Sequence, residues 1–66
     1  MASKAPKTGD VVRSEALPAC GVGYIVACEG IHLWVRFLGG MVTHSGNDAF
    51  YVRRDSVEVL SYANSR

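Results

Sequence analysis

The sequence predicts an all-β fold, a small and partly open barrel of five short strands. The segment from Ile31 to Leu38 alternates between two kinds of residue with a period of two, which suits a pleated strand. Glycines and polar turn residues separate several other short β-forming segments, and no helix of useful length is visible. In a chain of only 66 residues, closure of the sheet would limit the number of exposed edges.

The first half of the chain is predicted to contain three strands. β-Branched and aromatic residues fill the strands, and glycine, proline or acidic residues separate them. The strands on either side of Glu29-Gly30 make the clearest hairpin, because two residues are the commonest hairpin loop. We predict one domain at 9–60, preceded by a flexible tail at 1–8. Its first half is predicted to contain, in chain order, a strand at 9–13, a loop at 14–22 with Pro18, a strand at 23–28, a turn at Glu29-Gly30 and a strand at 31–38.

The second half is predicted to add two more strands. Gly39-Gly40 ends the third strand, and the polar residues after it indicate a loop. Asp55 and Ser56 can supply a single helical turn, because both side chains bond readily to nearby backbone amides. In chain order we predict a loop at 39–48, a strand at 49–53, a helical turn at 55–56, a strand at 57–60 and a polar tail at 61–66.

The alternation along the third strand assigns each residue to one side of the sheet. We expect the apolar side to pack with Phe50 and Val52 of the fourth strand; it contains Ile31, Leu33, Val35 and Phe37. The opposite side faces outward together with Tyr51 and Arg53; it contains His32, Trp34, Arg36 and Leu38. A tryptophan between a histidine and an arginine is unusual for a solvated row, so this side indicates a surface with a role.

Composition and charge narrow the function classes. Seven Lys and Arg against six Asp and Glu leave a charge of +1, unlike proteins that hold a duplex by phosphate neutralisation alone. The chain has no secretory signal and no apolar run of about 18 residues, so we expect a cytoplasmic protein without a membrane partner. An extended run of roughly 16 Å separates Cys20 from Cys28, beyond the reach of a disulfide. We expect free thiols, buried as small hydrophobic side chains.

No grouping of cysteine, histidine and serine predicts catalysis. Cys20, Cys28, His32 and His44 lack the close ligand pairs of a zinc site. Neither His44-Ser45 nor the pair of Cys28 and His32 comes with an orienting third group. No helix follows Gly21-Val-Gly23 to direct amides at a phosphate. We therefore expect a protein that is not an enzyme and has no cofactor or metal.

Two segments resemble the Src-homology-three-like small barrels. Gly9-Asp10-Val11-Val12-Arg13, followed by Gly21-Val-Gly-Tyr-Ile-Val26, is similar to the opening of KOW, Tudor and CarD-type barrels. The segment from Tyr51 to Leu60 is similar to their strand, short turn and closing strand. The resemblance covers residues 9–60 and implies the architecture, while this fold hosts many unrelated functions and no single family is assigned.

The opening is also similar to that of plasmid-type type II dihydrofolate reductase, a chain of similar length in which four copies build one central site. The active-site strand of that family carries Val-Gln-Ile-Tyr, whereas Ala49-Phe-Tyr-Val52 stands here. No lysine follows Lys7 to fill the cationic role of that family. This resemblance implies a fold and an oligomer rather than reductase activity.

The outward residues carry the functional hypotheses. Aromatic residues interleaved with arginine are typical of protein interfaces, and they also stack on bases. Alternatively, Trp34 is a structural plug at one end of the barrel. We expect a small accessory or regulatory binding module whose partner is a protein or a second copy of the chain; the alternative is a KOW- or Tudor-like nucleic-acid-binding barrel, and an oligomeric enzyme comes third. The predicted binding residues are His32, Trp34, Arg36, Tyr51 and Arg53.

Overall fold

Five strands form one antiparallel sheet in the computed structural model, which describes residues 6–63. The strands are β1 (Val11–Ser14), β2 (Val22–Glu29), β3 (His32–Phe37), β4 (Ala49–Arg53) and β5 (Val57–Ser61). Two single 3-10 turns, Pro18–Cys20 and Arg54–Ser56, are the helical elements within the described range. The all-β prediction is confirmed, and so is the helical turn before the last strand.

The sheet is open rather than closed. Its strand order is β4-β3-β2-β1-β5, and within residues 6–63 no pairing joins β4 to β5. A register shift interrupts the ladder between Ile25 and Ala27 of β2, and another lies between Val11 and Val12 of β1. Such bulges bend a strand and increase its twist, which curls this sheet around one core. Neither helical turn in the described part of the chain is long and apolar enough to cross a membrane.

The core lies on the concave side of the sheet. Side chains from β1 to β4 form it, each at most 7% exposed: Val12, Ile25, Leu33, Val35, Phe37 and Val52. Phe50 is half-buried and packs edge-on against Phe37, with ring centroids 5.2 Å apart. The inward assignment of the odd residues from 33 to 37 is therefore confirmed, together with their packing against the fourth strand.

The prediction that Ile31 belongs to the core is wrong. Ile31 is 54% exposed, because the turn consists of Gly30 and Ile31 rather than Glu29 and Gly30. Glu29 pairs with His32 to close the hairpin, and Gly30 has a φ of +60°, the left-handed region that favours glycine. Leu38, expected on the outer side of β3, lies beyond the strand in the next turn and is 68% exposed.

A buried carboxylate joins the two ends of the described chain. Asp10 is fully buried and accepts hydrogen bonds from the backbone amides of Lys7, at 2.9 Å, and Ala63, at 2.7 Å. Both donors fall in segments that we expected to be tails, and these two hydrogen bonds to Asp10 hold the segments against the sheet. The outer parts of those predicted tails, residues 1–5 and 64–66, lie outside the described residues.

The two cysteines are free and differ in their surroundings. Cys20 is half-buried and packs against the core, whereas Cys28 is exposed. The expectation that both would be buried is therefore wrong for Cys28. This residue lies near the β2–β3 turn, where the sheet no longer covers it, and its Sγ atom lies 3.8 Å from the carbonyl oxygen of Pro6.

Candidate binding surface

The pairing of β3 with β4 brings all five predicted binding residues to the convex side of the sheet. His32 lies opposite Arg53, Trp34 opposite Tyr51, and Arg36 opposite Ala49. Paired residues of an antiparallel sheet share a face, and alternate positions along each strand return to it. We call this surface the outer patch and define it by His32, Trp34, Arg36, Tyr51 and Arg53.

Three rings form the centre of the outer patch. The Tyr51 ring stacks on His32 with centroids 4.4 Å apart and contacts Trp34 at 4.6 Å in a tilted arrangement. The Arg54 amide donates to the Ile31 carbonyl at 2.7 Å, so these two residues form a hydrogen-bonded pair at the end of the β3–β4 ladder. Hydrogen-bonded and non-hydrogen-bonded pairs alternate along an antiparallel ladder, and this contact fixes which pairs are which. It makes Trp34 and Tyr51 a non-hydrogen-bonded pair, in which facing side chains come closest. Tyr51 remains 49% exposed, while His32 and Trp34 are half-buried.

Arg36 borders the rings on one side and has two partners. Its Nη1 donates to the hydroxyl oxygen of Tyr24 on β2, at 3.3 Å, and its Nη2 lies 3.3 Å from a carboxylate oxygen of Asp48. The hydrogen bond to Tyr24, followed by the charge of Asp48, raises the pKa of Arg36. The guanidinium is thus oriented across the end of the patch while its side chain stays 46% exposed.

Arg53 borders the rings on the other side and forms a bidentate ion pair with Asp55. Its Nε and Nη2 donate to the two carboxylate oxygens at 3.1 and 3.0 Å. The hydrogen bond from Arg53 is the largest cause of a lowered pKa at Asp55. Both side chains are well exposed, so this pair orients Arg53 more than it stabilises the fold.

Glu29 adds a third carboxylate at the edge of the outer patch. Partial desolvation raises the pKa of Tyr51, and the nearby Glu29 carboxylate, as an acceptor and as a negative charge, raises it further. The patch and its immediate partners therefore contain two guanidinium groups against three carboxylates. This surface has polar side chains of both signs around an aromatic centre, without a cationic excess.

An apolar groove runs beside β4. It has a volume of about 290 Å³ and is lined by Ala16, Leu17, Tyr51, Val52, Arg53 and Ser56. The groove separates β4 from the loop after β1, so the open side of the sheet is also where apolar side chains are accessible. Sequence reasoning did not identify it, because the approach of that loop to β4 is a tertiary contact.

Sequence reasoning also missed the polar partners of the two arginines and of Tyr51. Only Asp55 carries a local signal, since it lies two residues after Arg53. The pairing of β2 with β3 brings Tyr24 and Glu29 to the patch, and Asp48 lies at the end of the loop before β4.

Within residues 6–63, no three His, Cys, Asp or Glu side chains group as metal ligands. Comparisons with protein-family models, curated proteins and solved structures found no match for this chain.

Proposed function

We propose that this chain is a non-catalytic protein-binding module, a small accessory or regulatory protein that contacts its partner through the outer patch. The observation that carries the proposal is the cluster of His32, Trp34 and Tyr51, held in fixed orientation on the convex side of β3 and β4. Clustered aromatic side chains supply large contact area at low entropic cost, and tryptophan, tyrosine and arginine dominate the energetics of protein interfaces.

The charges around the cluster favour a protein partner over nucleic acid. Arg36 and Arg53 are each already paired with a carboxylate of the same chain. A phosphate would have to compete with Asp48 and Asp55, and it would meet repulsion from Glu29 as well. A protein surface with donors and charges of both signs meets no such cost.

The architecture that supports this proposal is an open form of the Src-homology-three-like barrel. We infer this from the five-stranded order, the helical turn before β5 and the resemblance of residues 9–60 to that fold. This assignment concerns the scaffold and carries no activity with it.

Substitution of Trp34 tests the proposed function. Trp34→Ala should weaken partner binding by at least about 2 kcal/mol, roughly thirtyfold, because an anchor residue in an interface is lost. The partner is captured on immobilised wild-type chain, and its affinity for each variant is then measured by calorimetry. The matched control is Leu60→Ala, which removes an exposed apolar side chain, 41% accessible, from β5 at the other edge of the sheet.

Two outcomes decide the proposal. Binding of the folded Trp34→Ala variant with the affinity of the wild type would overturn it, since the patch would then be unnecessary. Capture that disappears after nuclease treatment, with an affinity that falls steeply between low and physiological salt, would instead establish nucleic-acid binding. Trp34 is the single tryptophan of the chain, so its fluorescence reports directly on contact at the patch.

A further inference from the structure

β4 is an edge strand that lacks several of the features that usually prevent edge pairing, although it is short and the loop after β1 lies across a groove from it. β3 pairs with it on one side, and in the described part of the chain no strand pairs with the other side. Its sequence, Ala49 to Arg53, contains neither proline nor lysine, and its register with β3 has no bulge. An edge of this kind is a template for pairing with another strand.

The alternation of the ladder shows which backbone groups point to the open side. Because the Arg54 amide bonds to the Ile31 carbonyl, the backbone N–H and C=O groups of Phe50 and Val52 point toward β3. Those of Ala49, Tyr51 and Arg53 point away from it. The Arg53 carbonyl, at the end of this edge, already accepts the hydroxyl of Ser56 at 2.8 Å, whereas the Arg53 amide points to the open side. The open edge therefore presents donors and acceptors with the spacing of an antiparallel partner.

We propose that this chain forms a twofold-symmetric homodimer in which β4 pairs antiparallel with β4 of a second copy, centred on Tyr51. The two Tyr51 residues then exchange a pair of backbone hydrogen bonds. The Arg53 amide of each copy likewise donates to the Ala49 carbonyl of the other. One continuous sheet would cross the dimer, as expected of an isologous interface.

Charge complementarity identifies a second copy as the occupant of this edge. In the Tyr51-centred register, Asp48 at one end of β4 faces Arg54 of the second copy at the other end. Asp48 uses one carboxylate oxygen for Arg36, and among residues 6–63 Arg54 makes no direct ion pair, although its charge helps to lower the pKa of Asp55. The same ion pair forms twice by symmetry, so the edge is complementary to itself.

The side chains of β4 fit the same register on both sides of the sheet. On the outer side, each Tyr51 lies beside its counterpart, which joins the two ring clusters into one surface. On the inner side, half-buried Phe50 of the second copy lies opposite Val52, at the apolar groove that also contains Leu17. The pairing would thus cover the groove of about 290 Å³ with an apolar side chain.

This dimer goes beyond the proposed function, because it uses the backbone edge of β4 rather than the indole of Trp34. The first experiment removes one edge donor and keeps every side chain. The chain is made by chemical synthesis from two segments joined at Cys28, with an N-methyl group on the Tyr51 amide. The matched control carries the N-methyl group on the Val59 amide, which lies within β5 and faces its open edge. This orientation follows because the Glu15 amide bonds to the Ser56 carbonyl at 2.7 Å and hydrogen-bonded pairs alternate along the β1–β5 ladder from there.

Sedimentation velocity over a concentration series measures the outcome. The unmodified chain and the Val59 control should both show a monomer–dimer equilibrium, and the chain methylated at Tyr51 should remain a monomer. Circular dichroism and a thermal melt check that all three are folded. A monomeric unmodified chain at millimolar concentration, or dimers of the folded chain methylated at Tyr51, would overturn the proposal.

A charge-swap experiment tests the register. Asp48→Arg and Arg54→Glu should each weaken the dimer at least about tenfold, because each reversal creates repulsion at two symmetry-related sites. An equimolar mixture of the two variants should restore dimers, since both contacts are again between opposite charges. A mixture that stays monomeric would refute the Tyr51-centred pairing. Failure of these tests leaves the effect of Trp34→Ala on partner binding unaffected, so the two proposals fail separately.

Discussion

The two sides of β3 differ completely in environment, although their residues alternate along one strand. Leu33, Val35 and Phe37 face inward and are at most 2% exposed. His32 and Trp34 face outward, where they contact the ring of Tyr51 and remain half-buried. The inner side explains why the chain folds. The outer side contributes no residue to the buried core and brings three rings together at the surface, which is why it is the better candidate for binding.

The largest effect should come from the inner side. Val35→Ala should lower the free energy of unfolding by about 2 kcal/mol or more, because it removes buried methyl groups and leaves a cavity. Chemical denaturation followed by Trp34 fluorescence measures the change. Ile31→Ala is the matched control, since Ile31 is exposed and its truncation should cost little. Similar losses for the two variants would contradict the assignment of the core.

The buried carboxylate of Asp10 should have the next largest effect. Asp10→Asn should lower the free energy of unfolding by about 1.5 kcal/mol, because the amide has one acceptor oxygen for two backbone donors. Denaturation measures the loss, and amide exchange at Lys7 and Ala63 should accelerate. An unchanged exchange rate at Ala63 would show that the hydrogen bond to Asp10 does not hold this end of the described chain.

Trp34→Ala should have a smaller effect on folding than Val35→Ala does. We expect a loss of about 1 kcal/mol, because cross-strand pairs on an open face contribute roughly that much. The thermal melt of this variant, followed by circular dichroism, measures it. A loss that equals or exceeds that of Val35→Ala would identify Trp34 as a structural plug and would remove the contrast between the two sides.

The ionisation of Tyr51 should give the smallest and most local effect. Its raised pKa means that the folded protein favours the neutral phenol. This contribution to stability is complete below the ordinary tyrosine pKa of about 10 and is lost as the pH rises through the folded value. Glu29→Gln should move the pKa of Tyr51 part of the way back, because desolvation, the largest cause, remains.

An NMR titration of the Tyr51 ring carbons measures this shift. Glu58→Gln is the control, because Glu58 lies on β5 and is exposed. An unchanged Tyr51 pKa in Glu29→Gln would contradict the influence of the Glu29 carboxylate on the outer patch.

Much of the fold could be predicted because alternation is a local property of a strand. The parity of β3 assigned Leu33, Val35 and Phe37 inward, and the bounds of β4 were predicted correctly. The error at Ile31 came from shifting the hairpin turn by one residue, which only the pairing of Glu29 with His32 fixes. The outward position of the five predicted binding residues also followed from parity, whereas their polar partners depended on the register between strands.

The sequence by itself determined which side of each central strand is apolar, since a period of two leaves no other way to bury Leu33 and Val35. It also determined that Trp34 and Tyr51 point outward. The tertiary structure alone decided that Tyr51 lies between Trp34 and His32, that Asp10 joins Lys7 to Ala63, and that β4 remains an open edge beside an apolar groove. These features depend on contacts between residues far apart in the chain, and on bulges that set the curl of the sheet, which no local pattern encodes.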